Sequence, residues 1–563
     1  MRAETPLPLA LLLLAFAARS QDPLQTRLEG VVVDPLHEPV QNAEVVVELD
    51  GVAVATTRSD GSGAFLFPKV PAQFVVVRAT TDAPDIGAES IDLWGERRGF
   101  VTVRTGPARR VGGVVRDDAG NPVPGAWVLA SPTPWQRTSS HCTAQADGEG
   151  RYELTHVAMG SVNLRAWCDR ADTGTFEGRL MDSSDETLDC ELPRDEDDWQ
   201  SYRLDGATPE RVALAELRML AFSAGSPVPL PPALARPRAG EPGRWELRGW
   251  ARADATAAFV VLDGAIMWPP AHWVEGGLGA STRRFVLGDP ECRVTGRLTD
   301  AAGKPVAGCA LLLQPFGEFV IVNAYRRVAV TAADGSFTVQ SPVVAGHKLA
   351  IRSMSAGTVL AGNDSNPVWF VGDQEVGKEW RLWAAPADAV RLDVTRDDGT
   401  PAPGTYVAVS VRDDHGRERQ LGVGVSRLDG SVDIDCLTLP TPVELRLAMN
   451  GPEGDGVFDT KIARRGDIRL GKFRLEPPSE LRGRVVDAAG APVAGAPIVI
   501  QRVWPPVFQQ PIHGVACDRD GNFVIRGLKG GDYTFVLAGP KQPPVFQYHV
   551  DAGATTEVEL TLR

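Results

Sequence analysis

The sequence predicts an all-β chain, a tandem string of about six two-sheet β-sandwich modules after a signal peptide. Three observations carry this. The twenty residues "LRGRVVDAAGAPVAGAPIVI" (481–500) align without a gap with "VTGRLTDAAGKPVAGCALLL" (294–313), "VGGVVRDDAGNPVPGAWVLA" (111–130) and "LEGVVVDPLHEPVQNAEVVV" (28–47). A second signature follows each copy: an Asp-Gly turn, an aromatic-led strand, a short Gly- or Pro-containing turn and another strand. The chain also holds 58 Gly and 44 Pro, a density of punctuation that suits short strands and turns better than helices.

The N-terminus, "MRAETPLPLALLLLAFAARSQD", has a weak positive start at Arg2 and an apolar run from Leu7 to Ala18. That run is too short to span a bilayer, and Ala15-Phe16-Ala17 has the small-x-small pattern of a cleavage site. Residues 1–20 are read as a signal peptide, and the mature chain as exported and without a transmembrane segment. The next units are 24–107 and 108–195, each carrying both signatures. Residues 196–290 lack the first signature but keep a strand–turn–strand half in "PGRWELRGWARADATAAFVVLDG" and form a divergent sandwich. Both signatures return at 291–387. They recur in degenerate form at 388–477, where "LDVTRDDGTPAPGTYVAVSV" has lost one residue before Gly399, and in full at 478–563. Closing strands run almost directly into opening strands, so a semi-rigid string is expected.

Each unit has a chemical logic. The alternation Leu481, Gly483, Val485 marks a half-buried strand. Asp487 satisfies the backbone that follows it, Gly490 supplies positive φ, and Pro492 fixes the turn exit before the second strand at Ile498–Ile500. The opening Gly recurs at Gly30, Gly113, Gly296 and Gly483, where a bulge or close approach of another backbone is expected. The Asp-Gly turns of the second signature are read as hairpins. These signals place about seven strands in roughly 85–95 residues, the size of a small sandwich.

The residues Gly483, Asp487, Gly490, Pro492, Gly495, Asp520, Gly521, Phe523 and Tyr533 resemble the motif of the carboxypeptidase regulatory-like domain. The resemblance extends over most of the mature chain except 196–290. It implies Ig-like, prealbumin-like (transthyretin-type) sandwiches of the kind found beside metallocarboxypeptidase domains and in strings on secreted bacterial proteins. Some relatives resemble starch-binding domains. Every matched residue is a turn or core residue, so the motif concerns fold and not activity.

The net charge of −14, with no basic run to offset it, argues against nucleic acid or anionic lipid as a partner. The seven cysteines are odd in number and read mostly as small buried residues, not a disulfide framework. His272 and Glu275 have zinc-ligand spacing but no catalytic domain around them. Asp518, Asp520 and Asn522 resemble the start of a calcium loop without its downstream Glu, so a plain hairpin turn is expected. The acidic cluster Asp195–Asp198 reads as a solvated junction. Neither a catalytic residue, a metal nor a cofactor is expected.

The aromatic loops stand out. "SPTPWQRTSSH" carries Trp135, "QPFGEFVIVNAY" carries Phe316 and Phe319, and "VWPPVFQQPIH" carries Trp504 and Phe508. A similar cluster, "MWPPAHW", carries Trp268 and Trp273. A Pro-flanked ring can present a flat face for sugar stacking. A plug over a sandwich end or a module contact is the more usual fate of such a ring. The chain thus reads as an exported, non-enzymatic multi-module binding protein, secreted, periplasmic or held at the cell surface. Polysaccharide is the first ligand class. The alternative is a structural or protein–protein interaction component of the cell envelope.

Overall fold

The computed structural model describes most of residues 25–562. Residues 1–24, 133–141, 181–185, 195–198, 206–214, 230–234, 238–243, 249–256, 268–282, 287–292, 316–326, 341–348, 362–367, 372–378, 413–417, 437–441, 505–512 and 538–544, with a few stretches of one to three residues, lie outside the described residues.

The first module sets the pattern. Its strands are β1 (Gln25–Val33), β2 (Glu44–Leu49), β3 (Val52–Arg58), β4 (Ala64–Pro71), β5 (Phe74–Thr80), β6 (Asp85–Asp92) and β7 (Arg98–Arg104). One sheet has the order β4-β1-β7, with β1 and β7 parallel. The other runs β3-β2-β5-β6, all antiparallel. Between the sheets lies a core of Leu28, Val32, Val45, Val47, Phe65, Phe67, Val75, Val77, Val101 and Val103. β8 (Gly106–Asp117) follows one residue later. It pairs first with β6 and then opens the second module, so the two modules share a strand.

The same three-plus-four arrangement recurs in 388–474 and 479–562. Parallel pairing of first and last strands recurs throughout. Arg293–Thr299 lies beside Glu379–Pro386, Asp388–Thr395 beside Asp467–Arg474, and Ser479–Asp487 beside Thr555–Leu562. The divergent 199–286 region keeps it too, with Trp199–Asp205 beside Arg283–Val286. Separate cores fill the second, fifth and last modules. Strict alternation produces them, as in Asp388–Thr395, where every second residue is buried.

The Asp-Gly signature is not a hairpin. It carries the chain from β3, in one sheet, to β4, in the other, and the equivalent strands 142–145 and 151–158 also lie in different sheets. The reason lies in the last glycine of the turn. Gly63, Gly150, Gly335, Gly430 and Gly521 all have positive φ. Each offers its carbonyl to an amide of the opening strand, at Val32, Val115, Leu298, Val394 and Val485, 2.8 Å away. The same opening-strand residue accepts from the first turn, as Val32 does from Val40 and Val485 from Val493. The two repeated signatures are therefore one clamp, closed on the first strand from both sides.

Asp side chains build both halves of that clamp. Asp487 accepts the amides of Ala489 and Ala491, and Asp518 those of Asp520 and Asn522, at 2.7–2.9 Å. The opening-strand glycines make the close approach that was expected. A Cβ on Gly296 would lie 2.5 Å from the Phe337 ring and 2.7 Å from the Trp380 carbonyl. The aromatic that leads the second signature thus sits on the glycine that opens the first.

Gly490 has φ 83°, and a Cβ there would meet nothing within 4 Å. Gly490→Val is therefore expected to cost only its backbone strain, about 1–3 kcal/mol. Amide exchange in the full chain should accelerate across 479–562 and stay unchanged across 388–474. Acceleration in both would contradict independent cores.

Candidate functional site

Trp135, Phe316, Phe319, Trp268, Trp273 and Phe508 fall outside the described residues, as do His272, Glu275 and Asp195–Asp198. Trp504 is the last residue of strand Pro497–Trp504, in register with Asp532. The flanking strands show where three of the loops emerge. Residues 133–141, 316–326 and 505–512 each join the second strand of a module to its edge partner. The 268–282 segment instead joins Ala265–Met267 to Arg283–Val286, the final connection of its unit.

In the first module these two kinds of connection share one end of the sandwich. Leu49 turns into Val52, Glu48 lies opposite Val76, and Phe74 lies opposite Asp92. That end is docked. Phe74 and Trp94, 6% and 9% exposed, pack on fully buried Leu312 with Val328 and Met354. The Arg352 guanidinium donates to the Trp94 carbonyl at 2.7 Å. Leu311, Leu312 and Leu313 are all at 0% exposure, because the core covers one face of their strand and the first module covers the other. A loop-end tryptophan in this chain is thus a contact between modules.

The fifth module has the same sheet position open. Leu312 pairs with Val328, and Ala408 pairs correspondingly with Val423. The row continues through Ala448 to Val457, with Tyr406 and Val425 paired beside it. Val423, Val457, Tyr406 and Val425 are 39–49% exposed.

A second junction joins the first and last modules. The Val524 amide, on edge strand Asn522–Leu528, donates to the Pro35 carbonyl at 3.0 Å. The Arg519 guanidinium reaches the Asp85 carboxylate at 3.3 Å and the Ala108 carbonyl at 3.4 Å. Between the modules lies a narrow cleft lined by Asp34, His37, Arg104, Thr105, Ala516 and Val524, among others. His37 has φ 66°. It occupies the turn position that Gly120, Gly303 and Gly490 take elsewhere, each amide bonding the carbonyl three residues back. A non-glycine residue there carries backbone strain. Burial, then Arg104, Arg526 and Arg396, push the His37 imidazole down to about 3, so it is neutral in ordinary buffers. This cleft was missed in the motif reading. The signal was present as the one aligned copy with His in a glycine column.

Among the described residues no three His, Cys, Asp or Glu side chains group as metal ligands. Asp518 and its neighbours form a turn that crosses from one sheet to the other, not the expected hairpin. Cys168, Cys190, Cys309 and Cys517 are buried free thiols, and Cys142 is half-buried. Burial pushes Cys142 and Cys190 up to about 11, and Cys517 well above its ordinary value, which disarms them as nucleophiles. No helix among the described residues is long and apolar enough to cross a membrane.

Residues 480–563 match the carboxypeptidase regulatory-like domain family. No curated protein matches the chain. Among solved structures, the shaft pilin SpaA of Lactobacillus rhamnosus GG is 12% identical over 31% of this chain and 98% of its own, with TM-score 0.19. The minor pilin GBS52 of Streptococcus agalactiae is 13% identical over 31% and 94%, with TM-score 0.18. The Bacillus anthracis TIE protein is 10% identical over 88% and 72%, with TM-score 0.14. At these scores the likeness has no bearing on function.

Proposed function

We propose that this chain, whose last module is a carboxypeptidase regulatory-like domain, is an exported, non-enzymatic structural and protein-interaction component of the cell envelope. The observation that carries the reading is the docking of Trp94 and Phe74 on the sheet around Leu312. It supports a protein built to join β-sandwich loop ends to sheet faces. The exposed row of Val423, Ala408, Ala448 and Val457 has the same sheet position and the same apolar chemistry. Its partner on this reading is an extracellular protein that presents an aromatic loop.

Polysaccharide binding is the second reading. It is favoured by the emergence of three aromatic loops from equivalent strand pairs. Each stacked ring contributes roughly 1 kcal/mol, so several modules would act together.

One experiment separates the two. The purified mature chain is sedimented with cell-envelope fractions treated with protease or with periodate. Protein partnership predicts loss of binding after protease and after Ala408→Arg. Sugar binding predicts loss after periodate and in the Trp135→Ala, Trp504→Ala double variant. Binding that survives protease and Ala408→Arg would overturn the first reading.

A further inference from the structure

We infer that the open sheet face of the fifth module closes on the same face of a second copy of this chain, about a two-fold axis running along the strands. This rests on the reading of that face as a docking surface. With no envelope partner seated there, the second copy takes its place.

The face is the outer side of a four-stranded antiparallel sheet. Its strands lie in the order Glu418–Val425, Tyr406–Arg412, Val443–Gly451 and Gly454–Ile462. Val407 and Val409 point into the core, so Ala408 and its alternates point outward. The apolar row runs Val423, Ala408, Ala448, Val457. Four residues along the strands lies a charged row, in which Glu418 pairs with Arg412 and Glu444 with Lys461. Glu418 is held in place by Arg446 at 3.2 Å and by Arg412 at 3.6 Å. Glu444 and Lys461 are exposed.

Charge selects the occupant and the axis. Across the sheet the charged row reads minus, plus, minus, plus: Glu418, Arg412, Glu444, Lys461. A half-turn about the midline of the sheet exchanges the two outer strands and the two inner ones. It lays Glu418 over Lys461 and Arg412 over Glu444, so every contact in that row joins opposite charges. The same half-turn lays Val423 over Val457 and Ala408 over Ala448. An axis across the strands, through the valine row, instead sets Asp455 against Asp459, two like charges. The face is thus complementary to itself in one orientation, as an isologous contact requires.

The size of the face sets the strength. Four strands about 4.8 Å apart, with outward rows about 7 Å apart, give a face on the order of 500 Å². A standard complex buries roughly 800 Å² per partner, so the pairing is weak and reversible. Stacked sheets lie about 10 Å apart and turn by about 30°, an offset that Glu, Lys and Arg side chains span. Val423 and Val457, 44% and 49% exposed, lose water on pairing, and the small alanines between them let the sheets approach.

The test is sedimentation velocity of the full mature chain over a range of concentrations. Wild type is expected to pass reversibly from monomer to dimer, and less readily as sodium chloride screens the charged row. Ala408→Arg, which brings a charge from each copy into the apolar row, should stay monomeric. Lys461→Glu meets Glu418 with a like charge twice per dimer and should weaken pairing about tenfold or more. Glu418→Lys should do the same. Mixed in equal amounts, these two variants should pair with each other, because one carries Glu and the other Lys at both positions. If Glu418→Lys does not fold, Lys461→Glu and the salt response decide. A wild-type chain that stays monomeric would overturn the pairing, as would a Lys461→Glu chain that dimerises like wild type or folded variants that do not pair when mixed. The docking reading fails separately, in the envelope sedimentation, where a monomeric chain still loses binding after Ala408→Arg if that reading holds.

Discussion

Gly521→Val is expected to unfold the last module within an otherwise folded chain. Gly521 has φ 77°, and a Cβ there would lie 2.5 Å from the Val485 carbonyl oxygen and 3.3 Å from Pro492 Cβ. Neither the backbone oxygen nor the proline ring can rotate away. Backbone strain costs about 1–3 kcal/mol, and forcing in the extra atoms costs about 1–3 kcal/mol more. The Val485 amide would also lose its 2.8 Å bond to the Gly521 carbonyl. A single small domain has little beyond about 5 kcal/mol in reserve. Calorimetry of the full chain should lose the transition of 479–562 and keep the others. Gly490→Val, strained but sterically free, is the comparison. Equal effects at the two glycines would show that the clamp does not matter.

Trp94→Ala is expected to detach the first module from the fourth without unfolding either. Trp94 is 9% exposed, yet it belongs to the cluster with Leu312 and not to the core around Leu28 and Val77. Truncating a buried tryptophan costs about 3–5 kcal/mol. Here that loss falls on the junction. The Arg352 bond runs to the Trp94 main chain, and one such contact cannot replace the buried area. Small-angle scattering should show a larger radius of gyration. Amides of strand Ala310–Pro315 should exchange faster, while those of β1 and β5 stay protected. Leu93→Ala, a deletion within the first module's core, should do the reverse. Unchanged scattering for Trp94→Ala would mean that the loop end does not hold the junction.

Much of the local architecture was legible from residue order. The columns of Gly483, Asp487, Gly490 and Pro492 encode a turn, because each residue acts on atoms two to four positions away. The Asp-Gly turn was read in the right place and given the wrong partner. Which sheet its strands join depends on Gly521 meeting Val485, thirty-six residues earlier, and no local propensity reports that. The candidate site was less legible. Trp94 has no Pro-rich neighbourhood to mark it, and its role depends on a sheet more than two hundred residues away. His37 was visible only as an odd residue in an aligned column, and its meaning needs Arg104 and the last module beside it.

Residue order was enough to specify an all-β chain of repeated modules, the places of their turns and the separate apolar alternation of each core. Those features follow from short-range chemistry: two-residue periodicity, carboxylates bonding nearby amides, and glycine's access to positive φ. Tertiary structure alone decided that the two signatures close on one strand and that β8 serves two modules. It also decided that Trp94 is buried on the fourth module while the row at Ala408 is open, and that Arg104 faces the last module. The reason is physical. Apolar burial is non-directional, and the repeats present similar sheet faces, so which faces meet is settled only by the assembled fold.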